Sequence, residues 1–363
     1  MNSADSSANP FKTKQHFEIL DGLRGIAAVA VIIFHFMEFA VPDYSKSFIA
    51  HAYLAVDFFF CLSGFVIAYA YDNRLPNIGL LSFFKLRLIR LHPLVIIGSV
   101  LGLLTFVFDP FSTLYQSYGV GKTFLMFITS CFLIPYPLVK ERYFNLFHLN
   151  PPSWSLLWEY IANIFYALIL FKLRNYILWI LTIVAALALC YEASKSGYLG
   201  VGWGGDNIVG GTIRVSYSFL IGMLVYRSGW IIKSRLGFVA VSMLLLAAFL
   251  VPYVDKLNRF TDPLIVLFYF PFLVALGAGA GLGSQFTKFC RFLGDLSYPL
   301  YMIHYPFLWL FLSYLEVKKP SMTQMEIMIP IAALFLIALA YLIMRFVDLP
   351  IRKYLKHKMS KKI

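Results

Sequence analysis

The chain alternates long apolar runs with short polar connections that are often basic. A helix needs about 17–25 apolar residues to cross a bilayer. On that pattern, spanning helices fall near 20–40, 52–71, 88–108, 154–171, 175–191, 208–226, 236–253, 263–281, 296–314 and 327–346. A further stretch, 122–138, is shorter. It carries Pro135 and Pro137 and runs into the polar segment 139–153.

The distribution of Lys and Arg decides how 122–138 is read. If it does not span, one side of the membrane receives Arg24, the Arg74–Arg90 group, Arg227, Lys233, Arg235, Lys288, Arg291 and the basic tail from Arg345 onward. If it does span, every later connection changes side and the tail faces outward, against the positive-inside rule. The expectation is an all-α polytopic membrane protein, a bundle of about ten transmembrane helices with both termini cytoplasmic. Segment 109–153 is external, with 122–138 a candidate re-entrant stretch. Such backbone is tolerated only where protein buries it or where it lines a cavity, so a cavity on the outer side is expected. The organisation is a cytoplasmic tail over 1–19, a membrane domain over 20–346 and a basic cytoplasmic tail over 347–363.

Composition agrees with that pattern. The chain is 60% hydrophobic and only 13% charged, far from a soluble domain of this length. The net charge of +13 is spread over short connections, which does not suggest nucleic acid. Cys61, Cys131, Cys190 and Cys290 are dispersed and show neither metal-ligand nor disulfide spacing. No small-residue cleavage site follows the first apolar run, which is read as a retained helix. No internal repeat suggests the inverted symmetry of many transporters. The small-residue run GAGAGLG (277–283) is read as close helix packing, and Trp154, Trp158, Trp203, Trp230 and Trp309 as interface anchors, with Trp154 also offering a sugar-stacking face.

Ionisable residues inside the apolar runs are costly and by default mark function. Arg24 and His35 are eleven positions apart, about three turns, and so share a helix face with roughly 16 Å between them. Arg87 and Arg90, three apart, form a second pair at the same interface as Arg24. Three arginines there suit an anionic ligand, or serve as topology anchors. Asp57, Glu159 and Glu38 are read in the outer half, each a candidate carboxylate partner for His35. Arg214 is read as a structural ion pair with Asp57 or Glu159. His304, in YPLYMIHYP, is either an interior hydrogen-bonding group or a second catalytic residue. Cations on one side, carboxylates on the other and a histidine between suggest chemistry across the bilayer, with an anionic donor and an outer acceptor meeting at His35.

Seven elements in order carry a resemblance: Arg24/His35, AVDFFFCLSGF (55–65), Arg87/Arg90, PSWSLLWEY (152–160), RVSYSFLIGMLVYRSG (214–229), LSYPLYMIHYP (296–306) and Asp348/Pro350. Together they resemble the acyltransferase family 3 membrane proteins, which acylate bacterial surface and exported glycans. The resemblance implies an O-acyltransferase, usually an O-acetyltransferase, of the bacterial inner membrane, with no permanently bound cofactor. It implies acyl-CoA (acetyl-CoA) as donor, a carbohydrate hydroxyl as acceptor, His35 as catalytic base or transient acyl carrier, and Arg24, Arg87 and Arg90 as the donor site. Asp57, Glu159 and His304 complete the candidate catalytic set. Two positions depart from the family pattern: Tyr160 follows Glu159 where a second acid is usual, and Asp348 stands where Glu is usual. A proton-coupled transporter or flippase for an anionic metabolite or lipid-linked sugar would use the same charges. A scaffold in a glycan-export complex would not need His35.

Overall fold

A computed structural model describes residues 16–360, so the expected tail 1–19 lies outside the described residues up to position 15. The chain forms α1 (Glu18–Ala40), α2 (Ala55–Tyr71), α3 (Leu75–Val107), α4 (Leu114–Cys131), α5 (Ser153–Leu168), α6 (Asn175–Ser196) and α7 (Ile208–Arg227). There follow α8 (Phe238–Phe249), α9 (Asp255–Leu264), α10 (Phe270–Gly279), α11 (Ser284–Lys318), α12 (Met322–Ile343) and α13 (Leu349–Ser360). Among the described residues there is no strand, only the isolated bridges Asn145–Gly204 and Ser234–Ala280. The protein is all-helical, as expected.

Local sequence accounts for the helix ends. Glu18 and Asp21 place negative charge in the first turn of α1, where the dipole favours it. Pro42 disfavours helical backbone just past Ala40. Gly197 ends α6 in a left-handed conformation (φ 81°) that a side chain would resist. Ser321 and Gln324 form a reciprocal capping box on α12.

Each of the ten expected spans coincides with helix, but among the described residues length and apolarity qualify seven segments as spans: 18–40, 50–71, 75–107, 175–196, 208–227, 255–279 and 322–359. The other three fall short for visible reasons. Helix α5 has 16 residues and α8 has 12. In α11, Tyr298, Pro299, Tyr301, His304 and Pro306 dilute the apolar run. The basic tail expected from 347 is not a loose extension: a π-turn (Met344–Asp348) continues α12 into α13. The stretch 122–138 is helix to Cys131 and non-helical chain beyond it. In that chain Tyr136 donates its backbone N–H to Leu146.

Helix α1 packs along α11, and α2 along α7. The second pairing rests on two glycines. A Cβ at Gly64 would lie 2.0 Å from the Phe219 carbonyl oxygen, and one at Gly222 would lie 2.0 Å from that of Cys61. Such backbone approach is what small residues permit in membrane bundles. In the GAGAGLG run only Gly277 and Gly279 are close-packed, against Leu20 and the Ile232 backbone. Helices α6 and α12 turn apolar side chains such as Ile183, Leu187, Ile331 and Phe335 outward, where lipid would cover them.

Candidate active site

His35 stands five residues before the end of α1, on the wall of a cavity of about 650 Å³. Its Nδ1 lies 2.9 Å from Glu38 Oε2, one turn along the same helix. A carboxylate only accepts, so Nδ1–H donates to Glu38, and in the neutral ring Nε2 carries the lone pair. Glu38 is held in turn: the Tyr44 hydroxyl donates to Oε1 at 2.5 Å. Tyr44 is a residue that sequence reasoning missed, since nothing in the local pattern announces that the turn at Pro42 folds it back.

The second histidine is close. The rings of His35 and His304 stack at 5.6 Å between centroids, and Tyr305 meets His35 edge-on at 4.9 Å. His304 is fully buried, its Nδ1 2.7 Å from the Tyr301 carbonyl of the preceding turn, while its Nε2 has no partner among the described residues. The structure thus brings the two candidate histidines together. It supplies Glu38, of the three candidate carboxylates, as the partner of His35.

The cavity opens at the pole formed by residues 41–54, 139–152, 198–207 and 250–255. Its wall includes Trp154, Trp203 and Trp309, so these three are cavity residues rather than interface anchors. Glu38, Asp43 and Asp255 also line it, against Arg214 alone among Lys and Arg. The Ser45 hydroxyl donates to Asp43 at 2.6 Å, and with Lys46, its ion-pair partner at 3.1 Å, it holds that carboxyl below its usual range. The non-helical chain beyond α4 supplies Tyr143 and Asn145 to the wall. This segment is anchored by Arg142, whose guanidinium is stacked 5.2 Å over Trp309 and donates to Ser313 Oγ at 2.7 Å.

Asp57 and Arg214 form a buried pair beside this wall. Arg214 Nη2 donates to Asp57 Oδ2 at 2.6 Å, Nε reaches both carboxylate oxygens at 3.2 Å, and Nη1 donates to the Val201 carbonyl at 2.8 Å. The guanidinium also stacks 5.3 Å from the Trp154 ring. Asp57 is therefore committed to Arg214 and does not orient His35.

The arginines gather toward the opposite pole. Arg24 donates to Ser297 Oγ at 2.9 Å and to the Gly294 carbonyl at 2.7 Å, with Asp21 at 3.2 Å. Arg87 Nη2 donates to Glu159 Oε1 at 2.8 Å, and Ser63 donates to the same oxygen at 3.2 Å. Arg90 is exposed, has no hydrogen bond or ion pair among the described residues, and lies within electrostatic reach of Arg24 and Arg87. Glu159, read in the outer half as one of three candidate partners of His35, is instead paired with Arg87 and belongs with the arginines. The physical reason is that α5 begins inside the bundle. Asn150 through Leu156 are all buried, so Glu159 lies deeper than a helix starting at the surface would place it.

The family described as "Acyltransferase domain" matches residues 17–345, and the chain belongs to this acyltransferase family 3. "Protein 2 in picA locus" of Rhizobium radiobacter is 34% identical over 163 residues, 42% of this chain and 82% of that protein. The peptidoglycan O-acetyltransferase OatA of Listeria monocytogenes is 24% identical over 366 residues, 94% of this chain and 56% of that protein. The O-acetyltransferase OatA of Staphylococcus aureus is 26% identical over 361 residues, 92% of this chain and 57% of that protein. The chain thus spans little more than half the length of these two acetyltransferases. No solved structure matches the chain. Family and helices together make it a multi-pass membrane protein.

Proposed function

We propose that the protein is an O-acetyltransferase of the bacterial cytoplasmic membrane, both termini inside. In this reading it moves an acetyl group from cytoplasmic acetyl-CoA to a hydroxyl of an extracytoplasmic glycan or glycoside. The observation that carries the reading is the His35–Glu38 pair at 2.9 Å on the wall of an aromatic cavity, with the arginine group toward the opposite pole. The relatives named as O-acetyltransferases support the reaction type. The cavity supports the acceptor class: flat aromatic faces suit the apolar faces of a sugar ring, and ring-edge carboxylates suit its hydroxyls. The same carboxylates disfavour an anionic donor from that side, whereas guanidinium groups suit its phosphates.

In the mechanism, Glu38 fixes the tautomer and orientation of His35. The Nε2 lone pair accepts the acceptor hydroxyl proton as that oxygen attacks the thioester carbonyl carbon. The C–S bond breaks, the sulfur leaves with its electron pair, and the imidazolium returns the proton to it. Glu38 stabilises the imidazolium between these two events. His304, stacked on His35, limits the ring to one orientation.

The test uses inside-out vesicles given labelled acetyl-CoA. Acetyl transfer predicts label in glycan ester that mild base releases, with or without a proton gradient. A transporter predicts no such ester and accumulation of substrate that follows the gradient.

A further inference from the structure

Arg352 lies outside every motif singled out above, yet the structure sets it beside the arginine group. It is the fourth residue of α13, one turn beyond Asp348 in the π-turn that ends α12. π-turns inside helices concentrate at functional positions. Asp348 is fully buried, and neither of its oxygens has a hydrogen bond among the described residues. Arg352 Nη2 approaches Oδ2 to 2.7 Å as an ion pair without hydrogen-bond alignment, and the buried Arg352 Nε has no partner among the described residues.

The same pattern occurs once more, at Arg87. Its Nη2 is held by Glu159 and its buried Nε has no partner among the described residues. Each guanidinium is thus gripped at one nitrogen by a carboxylate and leaves a buried N–H unused. The two pairs share one electrostatic neighbourhood. Arg90 is within reach of Arg24, Arg87 and Asp348, and Tyr298 is within reach of Glu159, Asp348 and Arg90. Tyr298 is fixed there by its hydroxyl, which donates to the Leu91 carbonyl at 2.6 Å, and α13 packs against α3, which carries Arg87 and Arg90. A buried, unused guanidinium N–H costs free energy unless an acceptor completes it.

We propose that Arg352 is a phosphate-binding residue of the donor site, and that Asp348 is its positioning residue. The inference rests on the donor reading given above. Phosphate is the ligand chemistry, and two sources carry it at this pole: the nucleotide part of the donor and the headgroup of a phospholipid. With one Nη2 hydrogen directed at Asp348, Nε–H and the second Nη2 hydrogen form an edge of two parallel donors for two phosphate oxygens, which a lysine cannot reproduce.

The experiment measures binding of labelled acetyl-CoA to the purified full chain, in maltoside detergent and in phospholipid nanodiscs, alongside the thermal unfolding midpoint. A charge-assisted hydrogen bond lost on Arg352→Ala predicts a Kd raised about ten- to a hundredfold in both media. Arg352→Lys recovers only part of it. Asp348→Asn raises Kd in the same direction, and Asp348→Glu restores it, with unfolding midpoints within the range of wild type. Arg90→Ala is the control for the donor reading. If Arg90→Ala weakens binding and Arg352→Ala and Arg352→Lys do not, the donor site stands and Arg352 is not in it. If none of the variants, Arg90→Ala included, changes Kd, the donor reading itself fails. A loss on Arg352→Ala seen only in nanodiscs assigns Arg352 to a lipid headgroup and overturns the proposal.

Discussion

His35 Nδ1 and Glu38 Oε2 are 2.9 Å apart on one helix turn, and Glu38 also accepts the Tyr44 hydroxyl. The carboxylate therefore has no freedom to leave the ring, and its charge faces the imidazole whenever that ring takes a proton. Glu38→Gln keeps the size and removes the charge. It is expected to lower kcat about ten- to a hundredfold, with small changes in the Kd for acetyl-CoA, since it acts on proton transfer. Tyr44→Phe leaves the charge and loosens its position, so a smaller loss is expected. Steady-state rates at saturating donor check both.

Arg87 and Arg90 are three residues apart, but their removal has different consequences. Arg87→Ala leaves the half-buried Glu159 without its cation, so weaker acetyl-CoA binding is expected together with a lower unfolding midpoint. Arg90 is exposed and has no partner to strand among the described residues, so Arg90→Ala is expected to weaken acetyl-CoA binding with the midpoint unchanged. Parallel binding and unfolding measurements separate the two effects.

The Asp57–Arg214 pair is shielded from solvent, with side-chain exposure of 0% and 1%. Removing one partner strands a buried charge, at a cost of about 3–5 kcal/mol. Asp57→Ala and Arg214→Ala are each expected to lower the unfolding midpoint strongly. The double variant Asp57→Leu with Arg214→Met is expected to be more stable than either single loss. A double-mutant cycle from unfolding in detergent, with Asp57→Leu and Arg214→Met made singly as well as together, gives the coupling.

The α2–α7 contact predicts a steric effect. Gly64→Val drives a side chain into the Phe219 carbonyl, with an expected loss of about 1–3 kcal/mol and reduced membrane yield. Gly121 has open space around its Cβ position, so Gly121→Ala is the matched substitution expected to leave stability unchanged or raised. Fluorescence-detected size exclusion after heating distinguishes them.

Much of this architecture was legible in the chain, because lipid imposes a strong rule: backbone polar groups must be satisfied within helices, and so apolar runs read as helices. The placement of Arg24, His35, Arg87 and Arg90 on common faces follows from helical periodicity alone. The choice among Glu38, Asp57 and Glu159 did not follow. Depth along a helix is counted from its start, and α5 starts inside the bundle because the chain from Asn145 to Pro152 is drawn inward. Tyr44 and Arg142 reach their places through turns whose side-chain partners are distant in sequence, a relation that no local pattern carries. Of the three expected spans that do not qualify, α5 and α8 are short, and α11 loses apolarity to Tyr, Pro and His that serve the site through His304 and Tyr305.

In the proposed reaction His35 takes the acceptor proton as acetyl passes to glycan. The direct measurement is incorporation of labelled acetyl from acetyl-CoA into glycan, in inside-out vesicles carrying wild type or His35→Ala at equal, verified insertion. The account predicts base-labile label with wild type and loss of at least about a hundredfold with His35→Ala. Equal label with both proteins would contradict it.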